Sequence, residues 1–214
     1  ILAHYYVDED VQDVADYIGD SFYLSKVATK VSQDRIIFAG VEFMGESAKI
    51  LNPKKRVFMP DMNADCPMAH MADKDEILAL REKYDDLAVV CYINSTAELK
   101  KYSDVCVTSS NAVKIVKNLP NKNIFFIPDR NLGSYVAKQC PDKNFIFNNG
   151  CCPRHVVITK DMVLKAKELH PEARFAAHPE CTEDVLALAD YVGSTSGIID
   201  YVVDTDADEY IIGT

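Results

Sequence analysis

The sequence predicts an α/β protein: three similar α/β units with short parallel sheets around a pseudo-threefold axis, the third unit truncated. Short apolar runs rich in Val, Ile and Phe alternate with helical segments, and this alternation is typical of parallel sheets covered by helices. The chain also repeats itself, because segment 15–19 recurs as segment 189–193 after 174 residues, which is twice 87. A sequence period of this kind indicates repeated structural units.

The repeat holds at other positions of each copy. His4, Tyr92 and His178 each end an apolar run, and they are separated by 88 and 86 residues. Three later apolar runs keep the same two spacings and begin at Arg35, Asn123 and Glu209. Similar strands that arose by chance would not keep one register, so we interpret these segments as equivalent strands.

Each copy has the pattern strand, helix, strand, helix, strand, helix, strand. The predicted helices include segments 111–119, 132–140, 161–169 and 183–189. The second of them begins after Pro128-Asp129, a pair that breaks a strand before a helix. We therefore predict three α/β units over residues 1–67, 68–153 and 154–214, and we expect both ends of the chain to lie inside a longer polypeptide.

Composition restricts the possible partners. The 214 residues carry a net charge of −10, and 48% of them are hydrophobic. An acidic chain of this kind argues against nonspecific binding to nucleic acid or to an anionic membrane, which needs clustered Lys and Arg. No apolar run approaches the roughly 18 residues of a membrane span. Seven cysteines without a dense framework favour a reducing, cytoplasmic location.

Polar side chains follow the apolar runs where the strands are predicted to end. The first strands are followed by the pairs His4/Tyr6, Tyr92/Asn94 and His178/Glu180. The second strands are followed by hydroxyl residues, namely Ser21, Ser109, Ser194 and Thr195. Such a residue either caps the helix that follows or helps the helix N-terminus to hold an anion. Because ligands bind beyond the carboxyl ends of parallel strands, we expect one central site for a small polyanion.

The predicted fourth strand of each of the first two copies ends in a cysteine followed by proline, and the two pairs keep the same period. Cys66 and Cys152 are 86 residues apart, each is followed by proline, and a third cysteine is expected near position 238, outside these residues. Three thiolates at one end of a cavity favour a soft metal site, with an iron–sulfur cluster as the first candidate. An iron without a protein ligand could act as a Lewis acid. Structural zinc is less favoured, because paired ligands at short spacing are lacking.

The other cysteines are interpreted as structural. Cys91 and Cys106 lie in apolar strands, where cysteine packs as a small hydrophobe. Cys151 is next to Cys152, and adjacent strand residues point to opposite sides, so one of the two is expected to face the cavity. His155 follows Cys152 by three residues and is expected at the mouth of the site, near an anionic group.

Short motifs are spread along nearly the whole chain, and together they resemble one known family, the quinolinate synthases, which are iron–sulfur enzymes of de novo NAD biosynthesis. The motifs are Ala3-His4-Tyr5-Tyr6, Asp65-Cys66-Pro67-Met68-Ala69, Cys91-Tyr92-Ile93-Asn94-Ser95, Thr108-Ser109-Ser110-Asn111-Ala112, Pro128-Asp129-Arg130-Asn131-Leu132-Gly133, Gly150-Cys151-Cys152-Pro153-Arg154-His155, His178-Pro179-Glu180-Cys181 and Gly193-Ser194-Thr195-Ser196-Gly197. Each motif is weak alone, whereas the set is highly specific.

The resemblance implies an enzyme that condenses iminoaspartate with dihydroxyacetone phosphate to give quinolinate, phosphate and water. It implies a 4Fe-4S cluster with Cys66 and Cys152 as two of its three ligands. The implied catalytic residues, which contact the intermediate or assist proton transfers, are Tyr6, Tyr92, His178 and Glu180. The implied substrate-binding residues are His4, Ser21, Asn94, Ser109, His155, Ser194 and Thr195. A functional link to an enzyme that produces iminoaspartate is also implied.

The chain departs from the family pattern at two points. Asn148 stands where the family usually has Trp, and the third cysteine is expected outside residues 1–214, so that the site is complete only in a longer protein. Two alternatives stay open on the sequence alone. One is another three-cysteine iron–sulfur enzyme of the same architecture, such as the isoprenoid reductase or the diphthamide-synthesis group. The other is a non-catalytic α/β binding module whose cysteines are core residues.

Overall fold

The computed structural model describes residues 1–214, in which eleven short strands form three sheets. The strands are β1 Leu2–His4, β2 Tyr17–Gly19, β3 Arg35–Ala39, β4 Arg56–Phe58, β5 Leu87–Tyr92, β6 Val105–Val107, β7 Asn123–Ile127, β8 Asn144–Phe147, β9 Arg174–Ala177, β10 Tyr191–Val192 and β11 Tyr210–Gly213. Their residues are mainly apolar and β-branched or aromatic, as expected for buried parallel strands.

Ten helices alternate with the strands. They are α1 Glu9–Asp13, α2 Ser21–Lys30, α3 Glu42–Leu51, α4 Lys74–Lys83, α5 Ala97–Lys101, α6 Ala112–Asn118, α7 Arg130–Gln139, α8 Lys160–Leu169, α9 Glu183–Leu186 and α10 Thr195–Asp204, and a 3-10 helix spans Pro67–His70. Several begin with an Asp, Thr or Ser side chain that accepts a first-turn N–H, which stabilises the helix start. No helix combines the length and the apolar character that crossing a bilayer requires.

All three sheets place their first strand next to the second and third. The strand orders are β2-β1-β3-β4, β6-β5-β7-β8 and β10-β9-β11, and every neighbouring pair is parallel. Each sheet lies within one of the predicted units, and the third sheet has one strand fewer. The predicted fold class of similar α/β units with short parallel sheets is confirmed, and the boundaries between units stay a prediction.

An aspartate at the same place in each unit shows how closely the copies correspond. Asp104 Oδ2 accepts a hydrogen bond from Val89 N at 2.7 Å. Asp190 Oδ2 accepts one from Phe175 N, also at 2.7 Å. Asp16 Oδ2 makes the equivalent contact with the amino group at the start of the chain. Each aspartate therefore ties the beginning of the second strand to the central strand of its own sheet.

The second sheet is the most deeply buried. All six residues of β5 are buried, because helices cover both faces of the sheet. Phe126 packs with residues of α6 and α7 on one face, and Phe125 packs with residues of α4 and α5 on the other. A sheet covered in this way leaves the strand ends as the places where polar side chains reach a ligand.

The two cysteines expected at the ends of the fourth strands lie further along the chain, in loops. β4 ends at Phe58 and β8 ends at Phe147. Pro60 follows the first, and Asn148-Asn149-Gly150 follows the second, and both sequences favour turns over strands. Cys66 directly precedes the 3-10 helix. The placement of these cysteines on strands was wrong, although they keep equivalent places in the two units.

Candidate active site

One cavity of about 1140 Å³ is lined by residues that follow the carboxyl ends of strands in all three sheets. Every predicted site residue except Ser194 lines it: His4, Tyr6, Ser21, Cys66, Tyr92, Asn94, Ser109, Cys152, His155, His178, Glu180 and Thr195. The structure thus brings together residues that are up to 191 positions apart in the sequence.

The central strands of the first and third sheets end in the same local turn. His4 Nδ1 accepts a hydrogen bond from Tyr6 N at 3.2 Å, and His178 Nδ1 accepts one from Glu180 N at 3.3 Å. A side chain that bonds the backbone two residues ahead ends the strand locally. Because Nδ1 accepts, the proton of a neutral ring is on Nε2, and His178 can donate it to Ser109 Oγ at 3.1 Å.

Glu180 is the buried carboxylate of the site, with only 2% of its surface exposed. Its Oε2 lies 2.8 Å from His155 Nδ1 and 3.9 Å from His178 Nδ1, and the two imidazole rings stack at 4.9 Å. Burial raises the pKa of Glu180, but hydrogen bonding and the neighbouring imidazoles outweigh burial and lower it. Burial lowers the pKa of His178 to about 4. At neutral pH an ionised carboxylate therefore lies beside a neutral His178.

Tyr92 contributes a phenol to the same group. Burial raises the pKa of Tyr92 well above its usual value, and the charge of Glu180 and a hydrogen bond with it raise the pKa further. Tyr92 therefore keeps its proton at neutral pH and is able to donate it to the nearby carboxylate.

Hydroxyl groups connect the first and third units across the cavity. Tyr6 Oη lies 3.0 Å from Thr214 Oγ1 and 3.4 Å from Thr195 Oγ1. Thr214 Oγ1 also lies 3.1 Å from His155 Nε2. The Tyr6 side chain is 61% exposed, so it lies toward the solvent, whereas the histidines lie deeper.

The serines that follow the second strands take different places. Ser194 caps α10, and its Oγ accepts a first-turn N–H at 3.2 Å. In α2 the cap is Asp20, whose carboxylate accepts a first-turn N–H at 2.7 Å. Ser21 is therefore the first helical residue and lines the cavity. Ser109 lies ahead of α6 and contacts His178. A shift of one or more residues in the helix start thus decides whether a serine caps the helix or faces the cavity.

The two predicted cluster ligands line the same cavity as Glu180. Burial raises the pKa of both the Cys66 and the Cys152 thiols, and the charge of Glu180 raises both further. The ligand atoms of Cys152, His155 and Glu180 lie within 4.8 Å of one another. His155 Nδ1 is buried, and its one close polar neighbour is the Glu180 carboxylate at 2.8 Å, which it meets at an angle poor for a hydrogen bond. Thiol, imidazole and carboxylate atoms that converge with so few partners are a donor set that fits a metal group, which would lower the pKa of both thiols again.

The other cysteines do not line the cavity. Cys151 is absent from its lining, although Cys152 is present. Cys181 is buried, and its thiol donates to Gly213 O at 3.4 Å. Cys91 packs in the core as predicted. The prediction for Cys106 was wrong, because this residue is exposed on the edge strand β6.

Sequence reasoning missed several residues of the site. Arg154 and Thr214 line the cavity, and Asp129 and Asn131 bond to the loops that carry Cys152 and Glu180. Both Asp129 and Asn131 belong to the motif that runs from Pro128 to Gly133, but its first two residues indicated only a helix start. Their partners are far away in the sequence, so no local signal pointed to them.

Comparison with known proteins agrees with the motifs. All 214 residues match the family described as NadA, quinolinate synthetase A protein. A quinolinate synthase of Fusobacterium nucleatum is 62% identical over 214 residues, which is 100% of this chain and 72% of that relative.

Two further relatives carry the same name. The quinolinate synthase of Caldicellulosiruptor saccharolyticus is 54% identical, with 100% of this chain and 71% of that relative covered. The quinolinate synthase of a Sulfurihydrogenibium species is 51% identical, with 100% and 70% covered. These matches decide against the other iron–sulfur enzymes and the binding module considered above. The chain belongs to the quinolinate synthase family of enzymes.

Proposed function

We propose that the protein with this chain condenses iminoaspartate with dihydroxyacetone phosphate to give quinolinate, phosphate and water. The observation that carries the proposal is the single cavity in which two thiols from different units lie with a buried carboxylate, two histidines and several hydroxyls. Both substrates are anions with carbonyl-type carbon atoms, and such a reaction needs anion binding and repeated proton transfer in one enclosed site.

Cys66 and Cys152 would hold a 4Fe-4S cluster, together with a third thiolate from polypeptide outside residues 1–214. Both line the cavity, and cysteine thiolates are the usual ligands of such clusters. When bound, the cluster supplies a Lewis acid for a substrate oxygen. Cys151 is the neighbouring thiol that does not line the cavity, so we assign it no ligand role.

Hydroxyl residues at the helix starts would hold the substrate carboxylates and phosphate. Ser21 and Thr195 are the first residues of α2 and α10, and Ser109 lies just before α6. The free N–H groups and the partial positive charge at a helix start favour anions there. His4 and Asn94 line the same cavity and add polar groups from two different units.

Glu180 is the group best placed to accept and return protons. Its carboxylate is ionised at neutral pH and lies 2.8 Å from His155 Nδ1, within the distance that proton transfer requires. Tyr92 keeps its proton and orients the carboxylate by hydrogen bonding. His178 presents its Nε2 proton to Ser109, so it can share this proton with a substrate bound at the hydroxyl. Tyr6, at the exposed side, would contact the condensation intermediate.

The proposal is tested by reconstituting the full-length protein with iron and sulfide under anaerobic conditions and measuring quinolinate formed from the two substrates. We expect Cys152→Ala to lose the cluster absorbance and the activity, and the matched variant Cys151→Ala to keep both. Glu180→Gln should keep the cluster and slow turnover by about 100-fold or more. A Cys152→Ala protein with the complete cluster spectrum, or a wild type that forms no quinolinate, would contradict the proposal.

A further inference from the structure

The start of α7 holds a carboxylate that the reaction does not explain. Asp129 is completely buried, with 0% of its surface exposed, and it makes no ion pair with Lys or Arg. Its Oδ1 accepts a hydrogen bond from Leu132 N at 2.6 Å, and its Oδ2 accepts one from Cys152 N at 2.8 Å. A buried carboxylate without a cation is costly, so a helix cap alone does not account for it.

The bond to Leu132 is an ordinary helix cap, which Asn or Ser provides as well as Asp. The bond to Cys152 is different, because it joins residues 23 positions apart and needs a second acceptor oxygen on the same side chain. Aspartate has two such oxygens, whereas asparagine has one and presents an NH₂ group in place of the other. The second oxygen of Asp129 therefore serves the cysteine loop and not the helix.

The first turn of the same helix holds a second loop of the site. Asn131 Nδ2 donates a hydrogen bond to Glu180 O at 2.9 Å. One short segment, residues 128–131, thus fixes the backbone of Cys152 on one side and the backbone of Glu180 on the other. These two side chains, together with His155, are the ones whose ligand atoms lie within 4.8 Å of one another.

A third loop is connected to this segment through Asn148. Asn148 Nδ2 donates to Pro128 O at 2.8 Å and to Met71 O at 2.9 Å. Met71 directly follows the 3-10 helix that begins after Cys66. The α7 start is therefore connected to the loops of both cavity cysteines and of Glu180.

We propose that Asp129 is a positioning residue that fixes the backbone of Cys152, and that Asn131 fixes Glu180 from the same helix start, so that thiol and carboxylate face one point before any ligand binds. The value of this arrangement rests on the proposed function, in which Cys152 is a cluster ligand. The arrangement itself is a property of the protein without the cluster and can be measured there.

The first test uses the full-length apoprotein and the alkylation rate of each cysteine, measured by peptide mass spectrometry with iodoacetamide. In Asp129→Asn the helix cap remains, but the bond to Cys152 N is lost, and the loop opens more often. We expect Cys152 to react about tenfold faster, which corresponds to the loss of one charge-assisted hydrogen bond. Cys91, which is buried in the core of the second sheet, should react at the wild-type rate.

The matched control is Asp73→Asn, the same substitution at the cap of α4, where the carboxylate accepts only a first-turn N–H at 2.8 Å. It should leave the Cys152 rate unchanged. Asp129→Ser, which also caps helices, replaces Asp129→Asn if the latter fails to fold. An unchanged Cys152 rate in a folded Asp129 variant overturns the proposal.

The second test uses the reconstituted protein and the rate at which a ferrous chelator removes iron, followed by the visible absorbance of the cluster. We expect Asp129→Asn to lose iron several times faster than Asp73→Asn. If the wild type binds no cluster but Cys152 is still exposed by Asp129→Asn, the proposed function fails and the positioning role stands. If the cluster binds and both Asp129 measurements match the wild type, the positioning role fails and the proposed function stands.

Discussion

Gly150 lies at the point where the site loops come closest together, and its replacement by alanine is a strong test of the structure. A methyl carbon at this position would lie 2.5 Å from Pro128 O, 2.8 Å from Asn148 Nδ2 and 2.8 Å from Met71 Cβ. The backbone there is held in place, since Arg130 N donates to Gly150 O at 2.8 Å. The glycine has no positive φ, so the effect of Gly150→Ala is steric and not conformational.

The magnitude follows from these contacts. Non-bonded heavy atoms are most stable about 3.5–4.0 Å apart, so the loop has to move by roughly 1 Å. Overpacking of this kind costs about 1–3 kcal/mol, and weakening the two hydrogen bonds of Asn148 adds about 0.5–1.5 kcal/mol for each. We therefore expect Gly150→Ala to lower the free energy of unfolding by about 2–6 kcal/mol. At about 2–4 °C per kcal/mol for a chain of this size, the melting temperature should fall by about 4–24 °C.

The assay is thermal unfolding of the apoprotein followed by circular dichroism, with Gly45→Ala as the matched control. At Gly45 the added carbon meets only the flexible end of Met59, at 2.3 Å from its sulfur. Gly45 lies within α3, where alanine favours the helix by about 1 kcal/mol. We expect Gly45→Ala to melt at or slightly above the wild-type temperature. A Gly150→Ala protein that melts within about 2 °C of the wild type would refute the packing described for these loops.

The buried polar side chains allow further tests. Asn148→Ala removes two hydrogen bonds and should lower the free energy of unfolding by about 1–3 kcal/mol in urea; an unchanged midpoint would contradict this. Burial lowers the pKa of His4 to about 4, so below pH 6.5 the unfolded chain binds more protons than the folded chain. Between pH 8 and 5 the wild type should therefore lose about 2 kcal/mol more of its free energy of unfolding than His4→Gln does. Parallel pH profiles of the two proteins would contradict a buried neutral His4. Tyr92→Phe removes a donor from Glu180 and should slow quinolinate formation about tenfold with the cluster retained. Cys106, exposed on an edge strand, should be alkylated faster than the buried cysteines, as measured by peptide mass spectrometry.

The sequence was sufficient for the fold because the repeat depends on the strands. Buried parallel strands must be apolar along their length and must end in polar residues, so His4, Tyr92 and His178 mark the same place in three units. Asp16, Asp104 and Asp190 belong to the repeat for the same reason, since each ties the second strand to the first. Strand positions and the residues around the cavity could therefore be predicted together.

The roles of individual polar side chains could not be predicted in the same way. Ser194 caps its helix, whereas Ser21 follows a cap and Ser109 bonds to a histidine, although all three occupy similar positions in the repeat. Which residue caps a helix depends on where the backbone becomes helical, and a shift of the helix start by one residue changes the capping residue. Long-range hydrogen bonds could not be predicted either. The bond between Asp129 and Cys152, for example, joins residues that no periodic pattern relates.

The third unit differs from the other two in that its apolar cluster is not shared with a neighbouring unit. Its hydrophobic cluster, which includes Phe175, contains only residues of that unit. The first and second units, by contrast, share apolar neighbours, since Cys66 packs against the clusters of both. The third unit contacts the second through polar groups: His178 bonds to Ser109, and Glu180 O accepts a hydrogen bond from Asn131.

Because these polar contacts lie at the cavity, the site is also part of the interface between the second and third units. Apolar packing is non-directional, whereas a hydrogen bond forms only over a narrow range of distance and angle. A third unit held by such bonds is therefore oriented by the same side chains that face the cavity. The buried polar groups cost stability, and they determine how the loop with Glu180 meets the loop with Cys152. The cavity geometry thus depends on the side chains that line it as well as on the sheets behind them.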